Sequence, residues 1–347
     1  MLPSQPLRRQ ISSGLYRIKY RIKKFLVHLL CAFVPFKNHR KLIRNCLCFD
    51  PFSISKGLKD LKDIYKTHSY KTDFGDILEV FENDLLTKFI IRDGLYEPDE
   101  LTILDSLFSL MPFRRTALDI GSNIGNHCAL IQRYFQETHA IEPQTEIFSV
   151  LSRNIERNAW KAKAWNVAFS DHDGLMKLFI DEGGSLGSSS FIDNHGGRGI
   201  DVAVMTGDAF VRKIISEPVD YMKIDVESHE GPVITGLAAT IEKFQPIISM
   251  EWNNQTTVND FQRNNLFDTV LRGYHKFAMY PRWPKDLWPG PSGKVRRGIN
   301  GICAKRGYGY YLSEFDINKM SAAVVLIPPK HLNLITSLQA KHPLAAI

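Results

Sequence analysis

One stretch constrains the fold more than any other: Ala117-Leu118-Asp119-Ile120-Gly121-Ser122-Asn123-Ile124-Gly125-Asn126. An apolar run fit for a buried strand ends in a glycine pair, and a helical stretch opens behind it. Glycine lets the backbone turn tightly and approach a ligand where any Cβ would be in the way. The surrounding chain keeps the same rhythm. Apolar runs at 116–120, 138–141, 163–168, 221–224 and 247–250 alternate with helical spacing at 129–135, 147–158, 207–215 and 231–242. This predicts an α/β protein with a doubly wound, Rossmann-like parallel sheet, helices on both faces and ligands at the carboxyl ends of its strands. Upstream, 77–81 and 85–91 read as short strands, and Glu97-Pro98-Asp99-Glu100 reads as the cap of a helix reaching Leu110.

The glycine spacing bears on the ligand. Dinucleotide enzymes carry Gly-x-Gly-x-x-Gly, whereas here an acidic residue precedes Gly121 and Gly125 in a Gly-x-x-x-Gly pattern. That pattern is expected where the ligand's charged part is a cationic amino acid rather than a pyrophosphate, and Asp119 would face the cation. The second strand ends in Ala140-Ile141-Glu142-Pro143, where a carboxylate can accept hydrogen bonds from two ribose hydroxyls.

Charge is divided unevenly. The chain has 44 Lys and Arg against 37 Asp and Glu, but residues 1–49 hold eleven of the cations and no acid, which leaves the rest at −4. A basic arm on a slightly acidic body argues for tethering to an anionic surface and against nucleic acid. Leu15, Ile18, Ile22, Phe25, Leu26, Leu29 and Phe33 recur at helical steps, and the apolar run at 25–36 falls short of the ~20 residues a spanning helix needs. Residues 1–45 are thus read either as an amphipathic helix lying in a membrane surface or as one packed on the body. A signal peptide would need a small-residue cleavage site that Phe36-Lys37-Asn38 does not offer. Five scattered cysteines suggest reduced thiols in a cytoplasmic protein, peripheral to the membrane if the arm binds it.

At this point the residues reach a resemblance. The segments 119–125, 140–143, 166–171, 187–190 and above all Met222-Lys223-Ile224-Asp225-Val226-Glu227-Ser228-His229-Glu230 resemble the signature segments of the FkbM family of S-adenosylmethionine-dependent methyltransferases. The likeness runs from about Phe81 to Phe277, and Ser228 stands where the family has glycine. It implies a class I methyltransferase fold, S-adenosyl-L-methionine as cofactor and O-methylation of sugar or polyketide-type hydroxyls. Residues 94–98 are similar to the family's N-terminal segment, which implies a cofactor contact for Glu97. Cofactor contacts are likewise implied for Gly121, Asn123, Gly125, Asn126 and Glu142, and for Asn166 and Ala168 beside the adenine. On this reading the chain divides into a basic arm (1–49), a connector (50–76), a methyltransferase domain (77–311) and a C-terminal extension (312–347).

Methyl transfer from a sulfonium is an in-line displacement, so the nucleophile must be held near the methyl carbon and a neutral hydroxyl needs a base. His229 is expected as that base, because its ordinary pKa lies near neutral pH, with Glu227 orienting it. A local hydrogen bond at a helix start is the competing reading. Asp225 is the alternative base, or holds the acceptor hydroxyl, and extended backbone would turn Lys223, Asp225 and Glu227 to one side. Glu230 is read as satisfying the start of the following helix. Asp225, Glu251 and Asn253 are oxygen donors of the kind that bind Mg²⁺, but positioning an acceptor uses the same residues and no metal is expected. Residues 183–190 and 194–199 are read as a lid or a surface loop, and the aromatic, proline-rich 277–289 as an acceptor wall or a rigid connector. The expected acceptor is a hydroxyl of a glycan, glycolipid or similar small molecule. A nicotinamide-dependent oxidoreductase, disfavoured by the glycine spacing, and a non-catalytic membrane-recruited binding module are the alternatives.

Overall fold

The computed structural model describes residues 65–82, 84–181, 186–192, 198–281 and 310–341. The basic arm, residues 183–185 and 194–197 of the expected loops and residues 282–289 of the aromatic stretch lie outside the described residues.

A hairpin of β1 (Thr67–Lys71) and β2 (Ile77–Phe81) leads into α1 (Leu85–Asp93) and α2 (Pro98–Leu110). The alternation follows as β3 (Thr116–Ile120), α3 (Cys128–Tyr134), β4 (Glu137–Ile141), α4 (Thr145–Arg157) and β5 (Ala162–Trp165). A small sheet of β6 (Ala168–Ser170), β7 (Gly174–Ile180) and β8 (Arg198–Thr206) intervenes before α5 (Gly207–Ile214) and β9 (Val219–Ile224). Then come α6 (Glu230–Gly236), α7 (Ala238–Phe244), β10 (Ile247–Trp252), α8 (Gln255–Arg263), β11 (His275–Pro281), β12 (Tyr310–Glu314), β13 (Ser321–Ile327) and α9 (Asn333–Lys341).

The main sheet has the order β12-β11-β13-β10-β9-β3-β4-β5. From β10 to β5 it is parallel, and β13, β11 and β12 continue it antiparallel. Alternate strand residues serve opposite faces. Leu118, Met222 and Ile248 pack with Phe210, Val233, Ile241 and Phe261 of α5, α6, α7 and α8. Ala117, Tyr221 and Ile247 pack with Leu104, Ile131 and Leu338 of α2, α3 and α9. Burial on both faces is why these strands read as continuous apolar runs. The strand order reverses between β3 and β9, which opens a crevice at their carboxyl ends.

Four expectations need correction. Residues 85–91 form α1 rather than a strand, because Leu85, Leu86, Phe89 and Ile90 recur at helical steps between Asp84 at the N-cap and Gly94, whose φ of 87° closes the helix. The run at 163–168 breaks in two, since β5 stays beside β4 while β6 pairs with β8 in the small sheet. The helix at 231–242 is α6 plus α7, because the Asp208 carboxylate accepts from Ala239 N and Thr240 N and caps a second helix start. The domain limits also shift: β1 lies within the expected connector, and β13, within the expected extension, is an interior strand between β10 and β11.

Candidate active site

The crevice holds a cavity lined at the exits of β3, β4, β9 and β10. At the first exit Gly121 turns with φ 81°, and a Cβ there would lie 1.7 Å from Asp225 O, so only glycine lets the turn press on the end of β9. Gly121 N and Ser122 N both donate to Ile141 O at 3.0 Å, and Asp225 N donates to Ile120 O at 3.0 Å. These bonds tie three strand exits into one rigid rim. Gly125 plays another part. It packs its φ 95° backbone against Leu151 and Trp160, and it does not line the cavity.

Glu142 lies at the end of β4, 6% exposed, and lines the cavity. Its Oε2 accepts from Asn123 N at 3.0 Å and its Oε1 from Gln144 N at 2.9 Å. Burial nevertheless wins over these donors and pushes its pKa up to about 7. A carboxylate has room for about four hydrogen bonds, so two acceptor positions remain for a diol. Gln144 is buried on the same wall with its amide beside Tyr65, and neither side-chain polar atom has a well-aligned hydrogen-bond partner among the described residues. Ala168 also lines the cavity. Asn166 does not; its Nδ2 donates to Glu142 O and Pro143 O and fixes the backbone behind the carboxylate.

The opposite wall carries the expected Glu97 and Asn126 together with two groups that the sequence reading missed, Glu100 and His127. Asn126 Nδ2 donates to Tyr96 O at 3.0 Å while Tyr96 N donates to Asn126 Oδ1 at 3.1 Å, which clamps the segment before α2 over the turn. Glu97, at the N-cap of α2 with φ 50°, and Glu100 then lie 3.8 and 3.7 Å from His127 Nε2. Burial raises both carboxyl pKa values, that of Glu100 to about 7, and burial and the Lys223 charge hold His127 neutral. Glu100 sits inside α2 and His127 at the N-cap of α3, where no strand-exit rule marks them.

Asp119 departs from expectation. It is fully buried, neither oxygen has a hydrogen-bond partner among the described residues, and it does not line the cavity. Burial raises its pKa and the nearby Lys223 charge opposes that rise, so its cation is within the protein. Lys223 Nζ donates to Asp225 Oδ2 at 2.8 Å. Burial alone would lower the lysine pKa, but Asp225, Asp119 and Glu100 outweigh it and keep the ammonium charged.

Asp225 and Glu227 line the cavity together with Glu251. The strand that was to present Lys223, Asp225 and Glu227 on one side stops at Ile224, and Glu227 and Ser228 take left-handed φ values of 51° and 80°. Burial, then Asp225, pushes the Glu227 pKa up to about 8. His229 is not brought to the cavity. Its Nε2 is hydrogen-bonded to Ser170 Oγ at 3.0 Å, its ring packs on Phe191, and burial lowers its pKa to about 4. Its bond therefore reaches a distant strand rather than the local helix start. Glu230 accepts from Val226 N and Ser228 N at 3.3 Å and from Thr257 Oγ1, and so fixes the turn before α6. Residues 186–189 of the expected lid line the cavity.

Among solved structures, the methyltransferase FkbM from Methylobacillus flagellatus KT is 13% identical, with 69% of this chain and 53% of that chain covered at a TM-score of 0.39. This chain thus spans about half the length of that protein. The O-methyltransferase from Bacillus cereus in complex with S-adenosylhomocysteine is 11% identical, covering 66% of this chain and 80% of that one at a TM-score of 0.35. The Pyrococcus abyssi tRNA (uracil-54, C5)-methyltransferase, also with S-adenosylhomocysteine, is 11% identical, covering 60% and 38% at a TM-score of 0.33. No curated protein matches the chain. Residues 119–274, from the buried aspartate of β3 to the end of the segment behind α8, match the methyltransferase FkbM domain, so over that segment the chain is similar to the FkbM methyltransferases.

Proposed function

We propose that the chain transfers a methyl group from S-adenosylmethionine to a hydroxyl of a glycan, glycolipid or similar small acceptor. The observation that carries the reading is the position of Glu142. Its carboxylate lies in the same cavity as the Gly121 turn, keeps two acceptor positions for a ribose diol, and is separated by the β3 and β9 exits from a second group of carboxylates. Gln144, whose buried amide lines the same wall, fits the purine side, and Glu97 and Glu100 fit the ammonium of the amino-acid end in place of Asp119. When bound, the cofactor supplies the electrophilic methyl. The residues supply placement: Lys223 holds Asp225, and Asp225, Glu227 and Glu251 gather where an acceptor oxygen would enter. Glu227, in the same group, takes the proton-accepting or oxygen-positioning role first expected of His229. The basic arm, on the same reading, brings the domain to an anionic membrane surface.

Calorimetry with S-adenosylhomocysteine and with NAD tests the cofactor. Binding of the first alone is expected, weakened by at least about tenfold in Glu142→Ala as hydrogen bonds to a charged group are lost. Glu227→Gln should keep that affinity and slow transfer by roughly 10²–10⁴-fold. Binding of NAD, or full affinity in Glu142→Ala, sinks the assignment.

A further inference from the structure

We infer that Asp225, Glu227 and Glu251 bind one hard divalent cation of the Mg²⁺, Mn²⁺ or Ca²⁺ kind. Each offers a carboxylate oxygen, and these oxygens lie within 4.8 Å of one another. Oxygen ligands stand about 2.1 Å from Mg²⁺ and about 2.3–2.6 Å from Ca²⁺, so two across an ion are roughly 4–5 Å apart. Spacing alone would describe many acidic clusters. A separate observation points to a ligand: Glu251 Oε2 is shut off from solvent and has no hydrogen-bond partner among the described residues. An enclosed anionic oxygen without a partner is strongly unfavourable unless a proton or a cation meets it, and two further carboxylates within reach give a cation the ligands it needs.

The neighbours hold these carboxylates as outer-shell partners hold metal ligands. Asn253 Nδ2 donates to Glu251 Oε1, which leaves Oε2 to the site. Lys223 Nζ occupies Asp225 Oδ2 and leaves Oδ1. Glu227 is kept in its left-handed conformation with its carbonyl accepting from Ser190 Oγ at 2.7 Å. The ligand set thus differs from the one legible in the sequence. Glu227 replaces Asn253, whose amide is engaged in orienting Glu251.

Cation binding is read directly and does not rest on methyl transfer. The experiment titrates the full chain with Mn²⁺, followed by the electron paramagnetic resonance of the free ion, with Mg²⁺ and Ca²⁺ as competitors and S-adenosylhomocysteine affinity measured on the same samples. One Mn²⁺ per chain is expected, displaced by Mg²⁺ or Ca²⁺ and weakened roughly tenfold or more by Glu251→Gln and by Glu227→Gln. If Glu251→Gln does not fold, Glu227→Gln carries the test. No binding at millimolar Mn²⁺ overturns the inference, whether the acidic group then serves a protonated amine of the acceptor or nothing. So does affinity unmoved by both variants, or affinity lost only in His127→Asn, which would put the ion at Glu97, Glu100 and His127.

Discussion

A histidine just past the fourth parallel strand is a natural general base, because its ordinary pKa lies near neutral pH. In this fold the ring of His229 is enclosed between Ser170 and Phe191, and burial outweighs the attraction of Asp171 to hold it neutral. The consequence is a dependence of stability on pH. The folded-state pKa is about 4 against an ordinary 6.5, so the contribution is complete above pH 6.5 and is lost as the pH falls through 4, where the folded ring finally protonates. The gap is worth roughly 3 kcal/mol. Buried His127 acts in the same direction, whereas Glu142 and Glu227, pushed upward, favour the folded state at low pH. A comparison with His229→Asn isolates the one ring: the wild-type advantage in urea unfolding should shrink by up to about 3 kcal/mol between pH 6.5 and 4. A constant advantage would show that the ring is not held neutral.

The turn that ends β9 shows what an element's exit demands of its sequence. Ser228, in the position where the family resemblance leads one to expect glycine, keeps φ at 80° because Ser228 N donates to Glu230 Oε1 and Ser190 Oγ donates to the preceding carbonyl. A side chain in that region is strained, so Ser228→Gly should raise unfolding free energy by about 1 kcal/mol while leaving cofactor affinity unchanged. Lower stability in the variant would mean that the serine relaxes the turn rather than straining it. The same contrast explains what was legible. The runs at 116–120, 138–141, 221–224 and 247–250 announce themselves because both faces of each strand are buried, and Gly121 and Glu142 follow as exit residues. Residues 85–91 are too short and too apolar for periodicity to separate strand from helix. The departure of β6 from β5 leaves no mark, since Val167 and Ala168 stay apolar across it. Asp119 is turned away from the cavity for the same reason that β3 is legible. A residue inside a strand buried on both faces is itself enclosed, and only the contacts with Lys223 reveal which cation it serves.

At the scale of the whole chain, charge and sheet are segregated. The sheet and its acidic crevice fall in the part that carries −4, while all eleven cations of residues 1–49 precede the first described strand. Among the described residues no helix is long and apolar enough to cross a membrane. Any membrane contact by the arm is therefore argued from its sequence, where Arg17, Lys19, Arg21, Lys23 and Lys24 stand beside an apolar stripe. Each cation near an anionic leaflet contributes about 1 kcal/mol, and that attraction is screened over a Debye length of about 10 Å at 0.1 M salt. The full chain should accordingly sediment with vesicles containing phosphatidylserine, detach as salt rises, and ignore vesicles of neutral lipid. Replacing those five cations by glutamine in the full chain should abolish sedimentation at low salt, with S-adenosylhomocysteine affinity retained as the sign that the body is folded. Sedimentation that survives the replacement would place the contact elsewhere on the chain. If the unaltered chain fails to sediment with phosphatidylserine vesicles at low salt, the apolar stripe packs on the protein instead of on lipid.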